Sequence, residues 1–290
     1  MGNLDVTAYL HRLGCAAEPP SADALRRLHS AHIERVPYEA LEIALERVTP
    51  LAPEASVARF LRGRGGYCYH LNGAFSALLR ALGYQVTRHL SGVQSSAGDA
   101  PNLNRSHLGL TVTGLPDDPE TTWFADVGLG DGLYEPVPLR YGEFSQGPHT
   151  YRLRASDVVP GGWRFDHDPA GSFAGMDFAP GAAEMPDFAE RHHWLSTSPE
   201  SGFVRVCVVQ SLDSRGVDTL RALTLTRSGD VEKKQVLESP EDWWAALADV
   251  FGIPADAFTG EERERLWRLV LGQHEAHLAG AAGSEVVPSA

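Results

Sequence analysis

The apolar period of the chain runs from helical to strand-like and back, and this order constrains the fold more than any other feature. Up to about residue 84 the apolar residues recur at three- and four-residue spacing. Ser21 precedes Leu25, Leu28 and Ile33 as the cap of a helix starting near residue 22. Pro37 breaks that helix, and Tyr38–Leu41 reads as a turn. Residues 55–61 form a short second helix. Leu71, Ala74, Phe75, Leu78, Leu79 and Leu82 mark one face of a third, over Cys68–Leu82, with Gly83 as its stop. From Gln85 the period becomes two. His107–Thr113 and Thr121–Val127 alternate cleanly around a turn at Gly114–Pro119, the pattern of an antiparallel hairpin. Strand-like runs follow at 150–154, 204–210 and 221–226. Residues 160–190, rich in Gly, Pro and Asp, read as long loops. Residues 240–251 and 261–278 are helical again, and the last dozen residues read as disordered. There is no internal repeat.

A hydrophobic content of 43% in 290 residues is enough for a sizeable core. The net charge of −13 argues against nucleic acid as the main partner, although backbone N–H groups and a few arginines could still hold an anionic cofactor locally. Cys15, Cys68 and Cys207 are too few and too widely spaced for a disulfide framework, which fits a reducing cytoplasm. The N-terminus has no secretory pattern, and no apolar run is long enough to span a bilayer, so no membrane partner is expected.

The chemistry centres on Arg64-Gly65-Gly66-Tyr67-Cys68. Two glycines bring the backbone close to a cysteine in the first turn of an apolar helix. The unpaired N–H groups and partial positive charge of a helix N-terminus favour thiolate, the nucleophilic form. The alternative is a small buried hydrophobe. A nucleophilic cysteine needs a base and a group to orient it, and the hairpin offers both. Matching its apolar faces pairs Leu110 with Trp123 and Leu108 with Ala125. His107 then falls opposite Asp126 on the other face, with Cβ atoms roughly 4.5–5.5 Å apart. An ordinary cross-strand contact would give the same pattern.

Other motifs are less specific. The run Gly128-Leu129-Gly130-Asp131-Gly132 follows a strand but leads into Tyr134-Glu135-Pro136 rather than a helix, so it is no dinucleotide fingerprint. It reads either as an ordinary loop or as a turn where Gly128 and Gly130 let a pantetheine or phosphate approach the backbone. Cys68, His70 and the His192-His193 pair lack zinc-like spacing, so no metal is expected. Arg62, Arg64 and Arg105 flank the motifs, as attractors for an anionic donor or as partners of an acid such as Glu39.

Taken together, these motifs resemble the arylamine N-acetyltransferases. Arg64–Cys68 with Asn72 is similar to that family's active-site motif, and Pro37-Tyr38-Glu39 to its Pro-Phe-Glu-Asn. Arg105–Leu108 and Asp126–Gly130 resemble its histidine and Asp-Val-Gly-Phe-Gly segments, and His193–Pro199 with Ser201 and Phe203 a later stretch. The resemblance implies an α+β, cysteine-protease-like fold in three parts. These are a helical bundle (1–84) carrying Cys68, an antiparallel β-barrel (85–200) carrying His107 and Asp126, and an α/β lid (201–278), followed by a tail (279–290). It implies Cys68, His107 and Asp126 as the catalytic triad. The expected reaction passes an acyl group from acetyl-CoA, another acyl-CoA or an acyl carrier through a Cys68 acyl-enzyme to a small-molecule amine acceptor. Two departures bear on the substrate: His70 stands where the family has Glu or Gln, and Ala40 where it has Asn. They leave open an amide-forming acyltransferase of a biosynthetic pathway. A transglutaminase-like enzyme or cysteine hydrolase shares the Cys, His, Asp order, and a non-catalytic binding protein is the third reading.

Overall fold

The computed structural model describes residues 4–284. α1 (Val6–Leu13) and α2 (Ala22–Arg35) start at capping side chains, Asp5 accepting from the Ala8 N–H and Ser21 from that of Ala24. β1 (Tyr38–Glu39) and α3 (Leu41–Ala44) follow, then α4 (Pro53–Phe60), with proline in its first turn, and α5 (Cys68–Ala81). The apolar stripe of α5 is buried as its spacing predicts, and Gly83 takes φ 96° just past its end.

Eight strands come next: β2 (Gln85–Gln94), β3 (His107–Thr113), β4 (Trp123–Ala125), β5 (Val137–Pro138), β6 (Gly142–Gln146), β7 (His149–Ala155), β8 (Trp163–Asp166) and β9 (Gly175–Ala182). They form one antiparallel sheet in the order β5-β4-β3-β2-β9-β8-β7-β6. The sheet curls, but its edge strands β5 and β6 do not pair, so the expected barrel is a half-barrel. Leu108, Leu110, Val112, Trp123 and Ala125 pack with the buried face of α5, while Phe124, Phe165, Met176 and Phe178 fill the other side of the sheet.

A 3₁₀ turn at Met185–Phe188 leads to α6 (Ala189–Thr197) and α7 (Gly202–Arg205). Four strands follow: β10 (Val208–Asp213), β11 (Gly216–Arg221), β12 (Thr224–Gly229) and β13 (Lys233–Val236). The chain ends in α8 (Pro240–Asp249) and α9 (Gly260–Ser284). This second sheet runs β1-β10-β11-β12-β13 and shares a core with α8 and α9 built on Val209, Leu220, Trp243, Leu247 and Leu266. Among the described residues no helix is long and apolar enough to cross a membrane.

Several sequence expectations are corrected. Tyr38–Glu39 is a strand because β10, far away in the chain, pairs with it. Residues 160–190 hold β8, β9 and the start of α6. The inward residues Trp163 and Phe165, and Met176 and Phe178, do alternate, but over runs short enough for the surrounding Gly, Pro and Asp to mask. Residues 202–205 are a helical turn, so the strand expected from 204 starts at Val208. Residues 222–223 connect β11 and β12, with Ala222 at φ 49°, where a single strand was expected. Of the tail expected at 279–290, α9 continues through Ser284, and the remainder lies outside the described residues.

The loop before Cys68 is braced from several sides. A Cβ on Gly65 would lie 1.8 Å from the Pro37 carbonyl oxygen, so only glycine fits there. Gly66 bridges to Tyr38, and its carbonyl accepts from the Glu39 N–H at 2.9 Å. The Glu39 carboxylate, 2% exposed, accepts from Arg64 Nε (3.1 Å), the Gly65 N–H (3.2 Å) and the Leu41 N–H (2.7 Å). Arg64 therefore takes the acidic partner expected of one of the flanking arginines. Burial pushes the Glu39 carboxyl up, but Arg64, Arg59 and the two amides outweigh it and hold it below its ordinary value. Glu39→Ala leaves the buried Arg64 guanidinium with Glu42 alone and takes the acceptor from the Gly65 and Leu41 N–H groups, and it is expected to cost about 3–5 kcal/mol in denaturant unfolding. Because the folded carboxyl is depressed, its contribution to stability is complete above an unfolded pKa of about 4.3 and is lost as pH falls through the lower folded value. The stability difference between wild type and Glu39→Ala should therefore shrink on acidification.

Candidate active site

The first turn of α5 carries Cys68 to the end of β3 and the exit of β4, and the three predicted residues meet there. The His107 Nε2 and Asp126 Oδ2 atoms are 2.7 Å apart, with both side chains almost fully buried. Nε2 is thereby occupied, and Cys68 stands close enough for its charge to act on the imidazole. The Cys68 Sγ also lies 3.6 Å from the Ser106 carbonyl oxygen. As the first residue of α5, Cys68 has an N–H outside the helix ladder.

The hairpin register differs from the expected one by two residues: Leu110 pairs with Ala125, and Val112 with Trp123. A two-residue slip keeps every side chain on its face. His107 and Asp126 are consequently diagonal neighbours rather than directly opposed, and Asp126 lies just past the last residue of β4. Their contact survives because an imidazole and a carboxylate are long enough to close a diagonal.

Asp126 has no exposed surface, and both of its carboxylate oxygens are hydrogen-bonded. Oδ1 accepts from Asn72 Nδ2 at 2.7 Å and from the Gly128 N–H at 3.0 Å. Asn72 also donates to the Leu108 carbonyl and accepts from the Val127 N–H, so it joins α5, β3 and the loop after β4. The Asp126 backbone N–H donates to His29 Nε2 at 3.0 Å, and His29 Nδ1 meets the Tyr134 carbonyl at 3.0 Å. The sequence reading placed Asn72 in the motif without a role and missed His29. The available signal was a histidine adjoining the apolar positions of α2, next to Leu25 and Leu28.

Burial works against the charged form of His107, but the charges of Asp126 and Cys68 and the hydrogen bond to Asp126 overcome it. The imidazole is pushed up to about 10. Its charged form is thus the stable one around neutrality.

Gly128 sits against the nucleophile: a Cβ there would lie 2.8 Å from the Cys68 Cα and 2.8 Å from Asn72 Nδ2. Gly130, at φ 74°, faces Gln210 and the ring of Tyr38. The loop between them is anchored further on, where Asp131 accepts from the Ser172 N–H and hydroxyl and the Gly132 carbonyl accepts from Tyr151. His70 lies behind the nucleophile loop, with Nε2 2.8 Å from the Thr49 hydroxyl and the ring edge-on to Tyr67 and His192. His192 is hydrogen-bonded to Tyr67 and to the Thr49 carbonyl. Ala40 provides no side-chain cap for α3, a place where asparagine would cap well. Among the described residues no group of three or more His, Cys, Asp or Glu is placed to hold a metal ion.

Two outcomes test this geometry. The ring resonances of His107 should titrate near 10 and fall to a lower pH in Asp126→Asn. Being raised in the fold, the group stabilises fully below its unfolded value of about 6.5, and that stabilisation is lost as pH rises through about 10. Gly128→Ala must displace the Cys68 backbone, and the reactivity of Cys68 toward a thiol reagent should fall about 100-fold in stopped-flow alkylation.

The chain is similar to known proteins over most of its length. A family model described as N-acetyltransferase matches residues 21–258. The arylamine N-acetyltransferase / N-hydroxyarylamine O-acetyltransferase of Salmonella typhimurium is 39% identical over 259 residues, covering 85% of this chain and 88% of that protein. The structure of Mycobacterium marinum arylamine N-acetyltransferase in complex with CoA superposes with a TM-score of 0.81 at 29% identity, covering 92% of this chain and 98% of that one. Proansamycin X synthase of Amycolatopsis mediterranei is 31% identical over 159 residues, 53% of this chain and 59% of its own length. With its family model and its relatives matched over most of its length, the chain belongs to the arylamine N-acetyltransferase family.

Proposed function

We propose that this enzyme transfers an acetyl group from acetyl-CoA to an arylamine through a Cys68 acyl-enzyme, with His107 and Asp126 as its catalytic partners. The observation that carries the reading is the buried line of sulfur, imidazole and carboxylate at the start of α5. The Cys68 proton rests on His107, giving a thiolate–imidazolium pair, and Asp126 stabilises the imidazolium. The thiolate adds to the thioester carbonyl, and the oxyanion so formed lies within reach of the Cys68 N–H. Collapse of this adduct expels the CoA thiolate, which takes the proton from His107. In the second half-reaction the amine attacks the Cys68 thioester, His107 accepts its proton, and Cys68 is released as the amide leaves.

The aromatic residues flanking the Cys68 turn suit a flat apolar acceptor. Phe203 lies with its ring 4.9 Å from that of Tyr67 and 6.4 Å from that of Tyr38. Gly128 and Gly130 are assigned to the donor side, on the loop whose backbone packs against Cys68 and Asn72 at Gly128 and against Gln210 and Tyr38 at Gly130. The free thiols Cys15, Cys68 and Cys207 fit a reducing compartment such as the cytoplasm. The partial match to proansamycin X synthase favours one second reading, an amide-forming enzyme that takes another acyl thioester.

The test is intact mass after mixing wild type and Cys68→Ser with acetyl-CoA in the absence of amine. Wild type should gain one acetyl group and Cys68→Ser none, and aniline should then discharge it. Rapid loss of the acetyl group to water would favour the hydrolase. No gain from acetyl-CoA, but gain from a longer acyl thioester, would favour the second reading.

A further inference from the structure

His29 reaches both ends of the loop that supplies Asp126 and Gly128, yet it touches none of the three reacting side chains. It lies on α2, is fully buried, and packs edge-on against Phe75 of α5. Its two ring nitrogens meet backbone groups of fixed polarity. The Asp126 N–H can only donate, so Nε2 is a bare acceptor; the Tyr134 carbonyl can only accept, so Nδ1 carries the hydrogen. One neutral tautomer satisfies both. Burial holds the ring down at about 4, so it stays neutral at physiological pH. The two bonded groups bracket the glycine run, whose first member, Gly128, lies against Cys68 and Asn72.

We propose that His29 is a positioning residue for Asp126: its Nε2 fixes the Asp126 backbone so that the carboxylate meets His107, while its Nδ1–H closes the far end of the glycine loop. The inference rests on the reading of Cys68, His107 and Asp126 as the reactive triad. It assigns the two nitrogens separate tasks, and two substitutions separate them. The carbonyl of glutamine at 29 reaches the Nε2 position and can accept from Asp126, but gives up Tyr134. The amide of asparagine reaches the Nδ1 position and can donate to Tyr134, but gives up Asp126. Each loses one hydrogen bond to buried backbone, so a merely structural role predicts equal damage.

The experiment is Cys68 alkylation by iodoacetamide at neutral pH, read by mass against a Cys68→Ser control, alongside thermal melting. H29Q should react close to wild type. H29N should react about ten-fold more slowly or worse, with a melting temperature similar to that of H29Q. Equal rates in the two variants, or the reverse order, overturn the proposal. Should H29N not fold, ring ¹⁵N shifts of the unsubstituted protein decide: a persistent Nδ1–H tautomer, coupled through the hydrogen bond to the Asp126 amide, supports it, and an Nε2–H tautomer overturns it. Alkylation needs no acyl donor, so failure of the acetyl-CoA reading shows separately, as an absent mass gain with the variant order intact. A wild-type Cys68 no more reactive than that of Asp126→Asn overturns both the triad and the positioning role.

Discussion

A carboxylate with no exposed surface, at the meeting point of helices and half-barrel, sets the terms for everything around it. An isolated buried charge would cost many kcal/mol, and Asp126 escapes that cost through an imidazole, a carboxamide and a backbone N–H held at hydrogen-bonding distance. Each comes from a different stretch of chain: Asn72 from α5, His107 from β3, Gly128 from the loop after β4. The surrounding contacts are apolar and would tolerate small sliding motions; this polar cluster does not. Removing any one of these partners leaves the charge under-compensated, so the groups that fix the docking are also those that tune the nucleophile.

A second polar centre does similar work one layer back. Arg59 donates to the Gly65 carbonyl, and Arg64 pairs with Glu39 and Glu42, with Arg64 also lying over the ring of Phe258. His70, the departure two residues after the cysteine, belongs to this layer. It presents a neutral ring to Thr49 where family members bring an acid or amide, and burial together with nearby Arg59 keeps it uncharged. His70 thus supports the turn that carries Cys68 and touches neither Asp126 nor its partners.

Much of this was legible in the chain. α5 announced itself by its apolar spacing and by glycines at both ends, and the hairpin by clean alternation. The face shared by His107 and Asp126 came through despite the wrong register because parity, not register, decides which side a strand residue takes. What stayed hidden depends on partners distant in sequence. Nothing local makes Tyr38–Glu39 a strand; β10 does. Trp163, Phe165, Met176 and Phe178 are strand residues in a setting of turn formers, and the buried Arg164–Asp177 pair that ties β8 to β9 is invisible until the two strands are aligned. His29 looks like any helix residue until the loop it braces is folded against it.

β1 is only two residues long, but it belongs to two mechanical units at once. One side pairs with β10 at the edge of the second sheet, and the other bridges to Gly66, two residues before the nucleophile. The polypeptide is therefore less divisible than its three-part appearance implies. Cys68, His107 and Asp126 all lie in the first half of the sequence, yet the strand that braces the turn before Cys68 is seated by the second. A chimera that joined the first half of one relative to the last third of another would exchange more than a covering element. It would inherit the donor's setting of the cysteine turn, because β10 seats β1 and β1 in turn seats Gly66.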